Sequence, residues 1–538
     1  MLPLDPTDDL AKPAFTDAAS CAKWLSQLQL TNLNLAHGSL RTQLDELNRH
    51  AMRGKERLQT LETLRETVAT VQADFGKKLL GKKLPLADEE FLSLIASSNL
   101  WQGMLNGYLR CFQSRDAGDA SLAAEGALLA HRCLLYSGLQ LAEFLRAGYE
   151  PDGKSWQRLH SIYAHIEQQG LQQEAVADKY SRSGRAVSGR TLFAKMLLLH
   201  RARLLGLTRS QWHIVDRWLE QWGDTFTIEP RCSMSKEDAP PLAVDLAGMH
   251  GLVPVARATA EPGMRYLAMV PLSKLIRVKT ILLQQGQTPQ QVELGDELNS
   301  KDCTELLNRL HACWCEKRNE SLVDEMRDTA TVQLCNGLEK IYAHIAGKPF
   351  KTPASGGIAD KEKQKQIETF GRVLDETDHH KISQLGFLAE EWLVEEDGLL
   401  HGRLLRKTTF GERLGLNQIV CVHKPEAATY RVGVTTLVSV SRSGQLYIGV
   451  RYLPGLPQAV IARGSASGNL ASGATAALLL PEMANLRIPA SLILPRDWFH
   501  AGRQIELALP ENKKQNVALG ISVEKGADYE RVSFTAKG

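Results

Sequence analysis

The sequence has little that would mark a membrane protein, a secreted framework or an enzyme. No uncharged apolar run is long enough to span a bilayer. The best stretch, Leu470 to Pro481, is short and broken by Ser472, Gly473 and Thr475. The opening M-L-P-L-D-P-T-D-D-L is acidic, without a basic region or an apolar core, so no secretory signal is expected. The 9 cysteines are odd in number and scattered through expected helices and strands. That pattern fits reduced, buried thiols and a cytoplasmic location. A formal net charge of +3 over 538 residues is too balanced for wholesale DNA binding, and no DNA partner is expected.

Catalytic and metal signatures are missing as well. There is no Gly-x-Ser-x-Gly elbow, no Walker A loop and no His-Glu-x-x-His helix. The acid pairs Glu89-Glu90, Glu390-Glu391 and Glu395-Glu396 are adjacent in sequence, which suits solvated surfaces better than opposite walls of a cleft. His379-His380 adjoins an expected linker and is an unpromising ligand pair. His311-Ala312-Cys313-Trp314-Cys315 contains zinc-ligating residue types. On a helix, however, positions i and i+2 point to different faces, so helix packing is the expectation. The chain is therefore read as non-enzymatic, with no catalytic residue, no cofactor and no metal site.

What is present is an ordinary globular composition, 43% hydrophobic and 23% charged, in a chain long enough for three or four domains. The fold class expected is multidomain: an all-α N-terminal bundle over 1–222, an α+β middle domain over 223–347, a linker over 348–368 and an antiparallel β-barrel over 369–538. The clearest helix runs from about Gly54 to Leu80, where Leu61, Leu64, Val68, Val71, Phe75 and Leu79 form one apolar stripe. A bundle is favoured over a coiled coil because the pattern breaks at Gly81 within four heptads. Further helices are expected over 88–111, 120–145, 155–169, 190–205 and 209–222. Gly206 suits a helix stop and Thr208 a cap. The helix after Thr208 carries Trp212, Ile214, Val215, Trp218 and Leu219, an apolar face unlike a DNA-reading helix.

Between two of these helices, Lys179 to Arg190 reads K-Y-S-R-S-G-R-A-V-S-G-R, a basic loop of small residues able to wrap an anion. From Asp224 short strands alternate with helices, including a strand at Thr331–Cys335. Pro, Gly and Ser then concentrate from Gly347 to Gly357, ahead of the charged run Asp360 to Lys365. Beyond it, apolar-alternating runs punctuated by Asp397-Gly398, Gly402, Gly411 and Ser443-Gly444 give the hairpin pattern of an antiparallel barrel.

Three stretches of that tail carry a family resemblance: Glu391-Trp392-Leu393-Val394, Asp397-Gly398-Leu399-Leu400-His401-Gly402, and Ile448-Gly449-Val450-Arg451-Tyr452. Together they resemble an atypical PilZ-type domain, and the whole chain resembles long proteobacterial proteins with a helical N-terminal region and a PilZ-like end. Asp397 and Gly402 match the spacing of the family's strand motif. Leu399 stands where that motif has Ser, and the family's paired arginines have no counterpart; Lys361, Lys363, Lys365 and Arg372 are the nearest cations. The resemblance implies a cytoplasmic signalling or adaptor protein that responds to cyclic di-GMP in motility, adhesion or biofilm functions. The resemblance places the nucleotide at Asp397 and Gly402; Arg403 and Arg406, which follow, and Arg451 on a later strand are the cations expected to complete the site, with a protein partner engaged through the helical region. The alternative is a degenerate PilZ-like scaffold that acts through protein–protein contacts without nucleotide.

Overall fold

The computed structural model describes residues 4–8, 10–232, 239–259, 261–316, 330–350, 385, 387–464, 473–510 and 513–536. They fall into two compact units: Met1–Leu80 with Ala87–Asn319, and Gly81–Leu86 with Glu320–Gly538.

The first unit opens with helices α1 (Ala18–Ser26), α2 (Leu33–Arg49), α3 (Gly54–Phe75), α4 (Asp88–Asp116), α5 (Gly126–Arg146) and α6 (Gly153–Gln168). Leu61, Leu64, Val68, Val71 and Phe75 of α3 are all buried in the bundle, so the apolar stripe finds its partner inside the chain. Two short paired strands, β1 (Ala175–Val176) and β2 (Val187–Ser188), lead to α7 (Gly189–Arg201) and α8 (Arg209–Gln221). Gly206 ends the turn between them at φ 61°, and Thr208 caps α8 by accepting from the Gln211 amide at 3.2 Å.

The middle region contributes β3 (Ile228–Glu229), β4 (Leu242–Asp245), β5 (Val253–Pro254) and β6 (Met264–Leu267), an antiparallel sheet in the order β3-β6-β4-β5. It is followed by α9 (Val270–Gln284) and α10 (Ser300–Cys315). One core runs from Phe15 to Cys315 without interruption. Trp314 illustrates the join, its indole N–H donating to the Leu198 carbonyl of α7 at 3.0 Å. The α+β region thus shares the bundle's core rather than building one of its own.

The second unit holds two closed antiparallel barrels. The first uses β7 (Thr331–Asn336), β8 (Glu390–Asp397), β9 (His401–Lys407), β10 (Ile419–His423), β11 (Tyr430–Val440) and β12 (Gln445–Tyr452), in the order β10-β11-β12-β9-β8-β7. Helix α11 (Leu338–Ala346) follows β7. The second uses β13 (Gln458–Gly464), β14 (Ala474–Leu480), β15 (Ser491–Pro495), β16 (Gln504–Ala508), β17 (Lys514–Lys525) and β18 (Tyr529–Ala536), in the order β13-β14-β15-β18-β17-β16. The antiparallel tail expected from the hairpin pattern is therefore there, divided into two barrels.

The border expected at 347 also differs. Strand β7 pairs with both β8 and β10 and closes the first barrel, because a sheet without it would leave two unpaired edges. Much of the expected linker, and Lys361, Lys363, Lys365, Arg372, His379 and His380 with it, lies outside the described residues. Strand β10 is buried on both faces. Its inward side chains fill the barrel, while Ile419 and Cys421 join α11 and the second barrel's Leu478, Leu480, Ile493 and Tyr529 in a shared apolar cluster. This double burial explains the unbroken apolar run Ile419-Val420-Cys421-Val422. Gly81–Leu86, between α3 and α4, also belongs here: Leu84 and Leu414 exchange both backbone hydrogen bonds, at 2.7 and 2.8 Å.

Candidate functional site

Strand alternation sorts the first barrel's side chains into two sets. On β9, Gly402, Leu404 and Arg406 share the inward face, while His401, Arg403, Leu405 and Lys407 share the outward one. The register carries that inward face to Asp397 and Val394 on β8, and to Leu446, Ile448, Val450 and Tyr452 on β12.

One end of the interior is plugged. Arg406 is buried, lies over the Trp392 ring and meets Glu390 at 3.0 Å. Its guanidinium also donates to the carbonyls of Lys407, Phe410 and Glu412. Both terminal nitrogens are thus bonded within the protein, while Nε faces Glu390 as an ion pair without an aligned hydrogen bond.

The other end is open. A cavity of about 160 Å³ is lined by Val332, Val394, Leu404, Val422 and Tyr452, with Asp397, Lys424, Thr429 and Arg431 among its polar groups. Asp397 holds two cations, Lys424 at 2.6 Å and Arg431 at 2.9 Å. Those contacts, the Lys424 hydrogen bond first, keep its carboxyl below the usual range against the opposing effect of burial. Arg431 also donates to the carbonyls of Gly398 and Leu399, at 2.6 and 2.9 Å, and lies 3.4 Å above the centre of the Tyr452 ring. Gly402 makes that arrangement feasible, since a Cβ there would come within 2.7 Å of the Tyr452 hydroxyl. Leu399, at the tip of the β8–β9 turn, is 89% exposed.

Of the five residues expected to form a site, Asp397 and Gly402 meet at this mouth. Arg406 shares their face but sits at the plugged end. Arg403 and Arg451 point outward: Arg403 lies 3.5 Å from Glu395, and Arg451 pairs with Glu524 of the second barrel at 2.5 Å. In their place the mouth brings Lys424 and Arg431, from the two sides of the β10–β11 turn, and Tyr452. The available signal was a cation on each side of a short turn between two apolar strands.

The basic loop of the first unit does wrap an anion, and it is the protein's own. Glu220 accepts from the Ser181 hydroxyl at 2.9 Å, the Ser183 amide at 3.0 Å and Lys195 at 2.8 Å. His311 contacts Ser273 at 2.9 Å, and among the described residues no three metal-ligating side chains converge. Nor, among them, is any helix long and apolar enough to cross a membrane.

Comparison with known proteins divides along these structural lines. Residues 19–231 match the family model described as "Cyclic-di-GMP receptor FimW, N-terminal domain", and residues 460–536 match the "FimW C-terminal beta-barrel domain". Both ends of the chain are FimW-like. A curated relative, the cyclic-di-GMP receptor FimW of Pseudomonas aeruginosa, is 25% identical over 363 residues. That alignment covers 64% of this chain and 56% of the relative, so the chain spans only a little over half of FimW's length. No solved structure matches the chain. The FimW N-terminal match falls on the first unit and the FimW barrel match on the second barrel, so the open mouth of the first barrel lies between the two matched segments.

Proposed function

We propose that this protein is a non-enzymatic cytoplasmic receptor for cyclic di-GMP, which passes the signal to a protein partner engaged by the helical unit, in control of motility, adhesion or biofilm functions. The observation that carries this reading is the cationic, tyrosine-floored mouth at Asp397 and Gly402. It occurs in a chain similar at both ends to a protein named as a cyclic di-GMP receptor. Cyclic di-GMP presents phosphodiester charge and flat purine faces. Lys424 and Arg431 supply the opposite charge, and the Arg431–Tyr452 stack supplies a flat surface. In this reading Arg406 fixes the barrel wall behind the site. Arg403 and Arg451 belong to its outer face, where Arg451 joins the two barrels.

The test is calorimetry of the full chain with cyclic di-GMP. Saturable heat, lost in Arg431→Ala while the fold is kept, supports the proposal. Absence of heat, and of competition with a labelled analogue, at high micromolar ligand rejects it.

A further inference from the structure

The mouth contains three charged groups, and their arrangement says more than their sum. Two cations face one carboxylate, leaving a surplus of one positive charge, and both Asp397 oxygens are engaged, one by each cation. A phosphodiester carries the same single charge over two oxygens. An anion entering here therefore meets cations that are already neutralised in part.

The two cations are not equally free to change partners. Arg431 is fixed by Asp397, by two backbone carbonyls and by the Tyr452 ring. Lys424 is a point charge on a flexible stem, with Asp397 as its ion-pair partner. Exchange of partners is least costly at Lys424. Size adds a second constraint, because 160 Å³ is well below the roughly 300–1,000 Å³ of a pocket that encloses a whole small ligand. The mouth seats one phosphate-bearing portion of a larger molecule.

We infer that Asp397 is a built-in counter-ion rather than a ligand: one phosphodiester of the bound molecule displaces it from Lys424 while Arg431 stays in place. This rests on the receptor reading for the identity of the ligand, though not for the exchange itself. Asp397 then lowers affinity and screens the site against weakly held anions.

The experiment compares the full chain with its D397N and K424M variants by calorimetry, using cyclic di-GMP and, separately, inorganic pyrophosphate. Asn keeps the shape of Asp and removes its charge, so D397N is expected to bind about tenfold more tightly, a change of about 1.4 kcal/mol. K424M is expected to bind at least about tenfold more weakly, with circular dichroism confirming that both variants fold. Weaker or unchanged binding by D397N overturns the inference, as does absence of binding by every form with both probes. If D397N strengthens pyrophosphate binding and K424M weakens it while cyclic di-GMP gives no heat, the counter-ion exchange stands and the receptor reading falls. If cyclic di-GMP binds the unaltered protein and D397N weakens it, the receptor reading stands and Asp397 is a ligand.

Discussion

Arg406 and Glu390 face each other at 3.0 Å inside the first barrel, with 1% and 9% of their side chains exposed. Burial pushes the Glu390 carboxyl up against the pull of Arg406, so this pair carries a large desolvation cost. Arg406→Leu would leave the buried Glu390 carboxylate without its cation and three carbonyls without their donor. It is expected to destabilise the second unit by about 3–5 kcal/mol in urea unfolding. The double variant Arg406→Leu/Glu390→Leu should recover only the part due to the unpaired carboxylate, since the three carbonyls still lack a donor. Equal losses in the single and double variants would show that the pair does not act as a unit.

In the first unit, the Asp178 side chain is 3% exposed and bonded to Arg65 at 2.6 Å and Arg132 at 3.1 Å. Burial opposes its ionisation, but the Tyr180 amide and the two arginines outweigh it and hold its carboxyl below the ordinary 3.8. The stability it contributes is thus present above pH 3.8 and lost as pH falls through the lower folded value. Asp178→Asn is expected to cost about 3–5 kcal/mol near neutral pH. It should also flatten the acid limb of the melting-temperature profile below about pH 4. A variant with an unchanged acid limb would assign acid sensitivity elsewhere.

How far the sequence discloses this architecture follows from how local each signal is. The α3 stripe and the Gly206–Thr208 stop and cap depend on residues within a few turns of one another, and each is where the pattern puts it, except that α3 ends at Phe75 and leaves Leu79 only partly buried. Barrel closure is not local. Strand β7 is separated from β8 by more than fifty residues, and its T-V-Q-L-C-N alternation is the same whether it pairs with a middle sheet or a distant barrel. Nor does alternation tell one large barrel from two, because Gln458–Gly464 and Tyr430–Val440 obey the same period. The candidate site was half legible: Asp397 and Gly402 are neighbours across one hairpin. Lys424 and Arg431 reach them only because β10 and β11 curve round to complete the barrel.

Two buried histidines give a second pH signature. Burial, reinforced by Arg132, holds His131 down to about 3, and burial alone is the main cause holding His160 down to about 4. Both lie below the ordinary 6.5, so the unfolded chain binds these protons more readily. Stability is then full above pH 6.5 and declines as pH falls toward the folded values. Each should contribute a slope of ~1.4 kcal/mol per pH unit near pH 5. Calorimetric scans between pH 7 and 4.5 should show this decline in the unaltered protein and a smaller one in His131→Gln.

Arg451 and Glu524 link the two barrels through a pair that is partly open to water. Solvent screening limits such a contact to roughly 1 kcal/mol or less. On the receptor proposal, Arg451→Ala leaves cyclic di-GMP affinity unchanged and shifts the urea midpoint only slightly. Loss of affinity without loss of stability would place Arg451 in the ligand site.

Gly402 separates the contribution of shape from that of charge. It sits on β9 opposite Asp397, at ordinary strand geometry, so any cost of a side chain there arises from the space above it. A Cβ would stand 2.7 Å from the Tyr452 hydroxyl and 3.2 Å from the ring edge, closer than packed atoms tolerate. The ring would have to tilt, and Arg431, stacked on it at 3.4 Å, would lose its floor. Gly402→Ala is therefore expected to cost about 1–3 kcal/mol of stability. It should also weaken binding at the mouth although all three charges there remain. Tyr452→Ala should cost less stability in the Gly402→Ala background than in the unaltered protein, without restoring binding. If Gly402→Ala binds as the unaltered protein does, the Tyr452 platform has no part in recognition and charge alone accounts for the site.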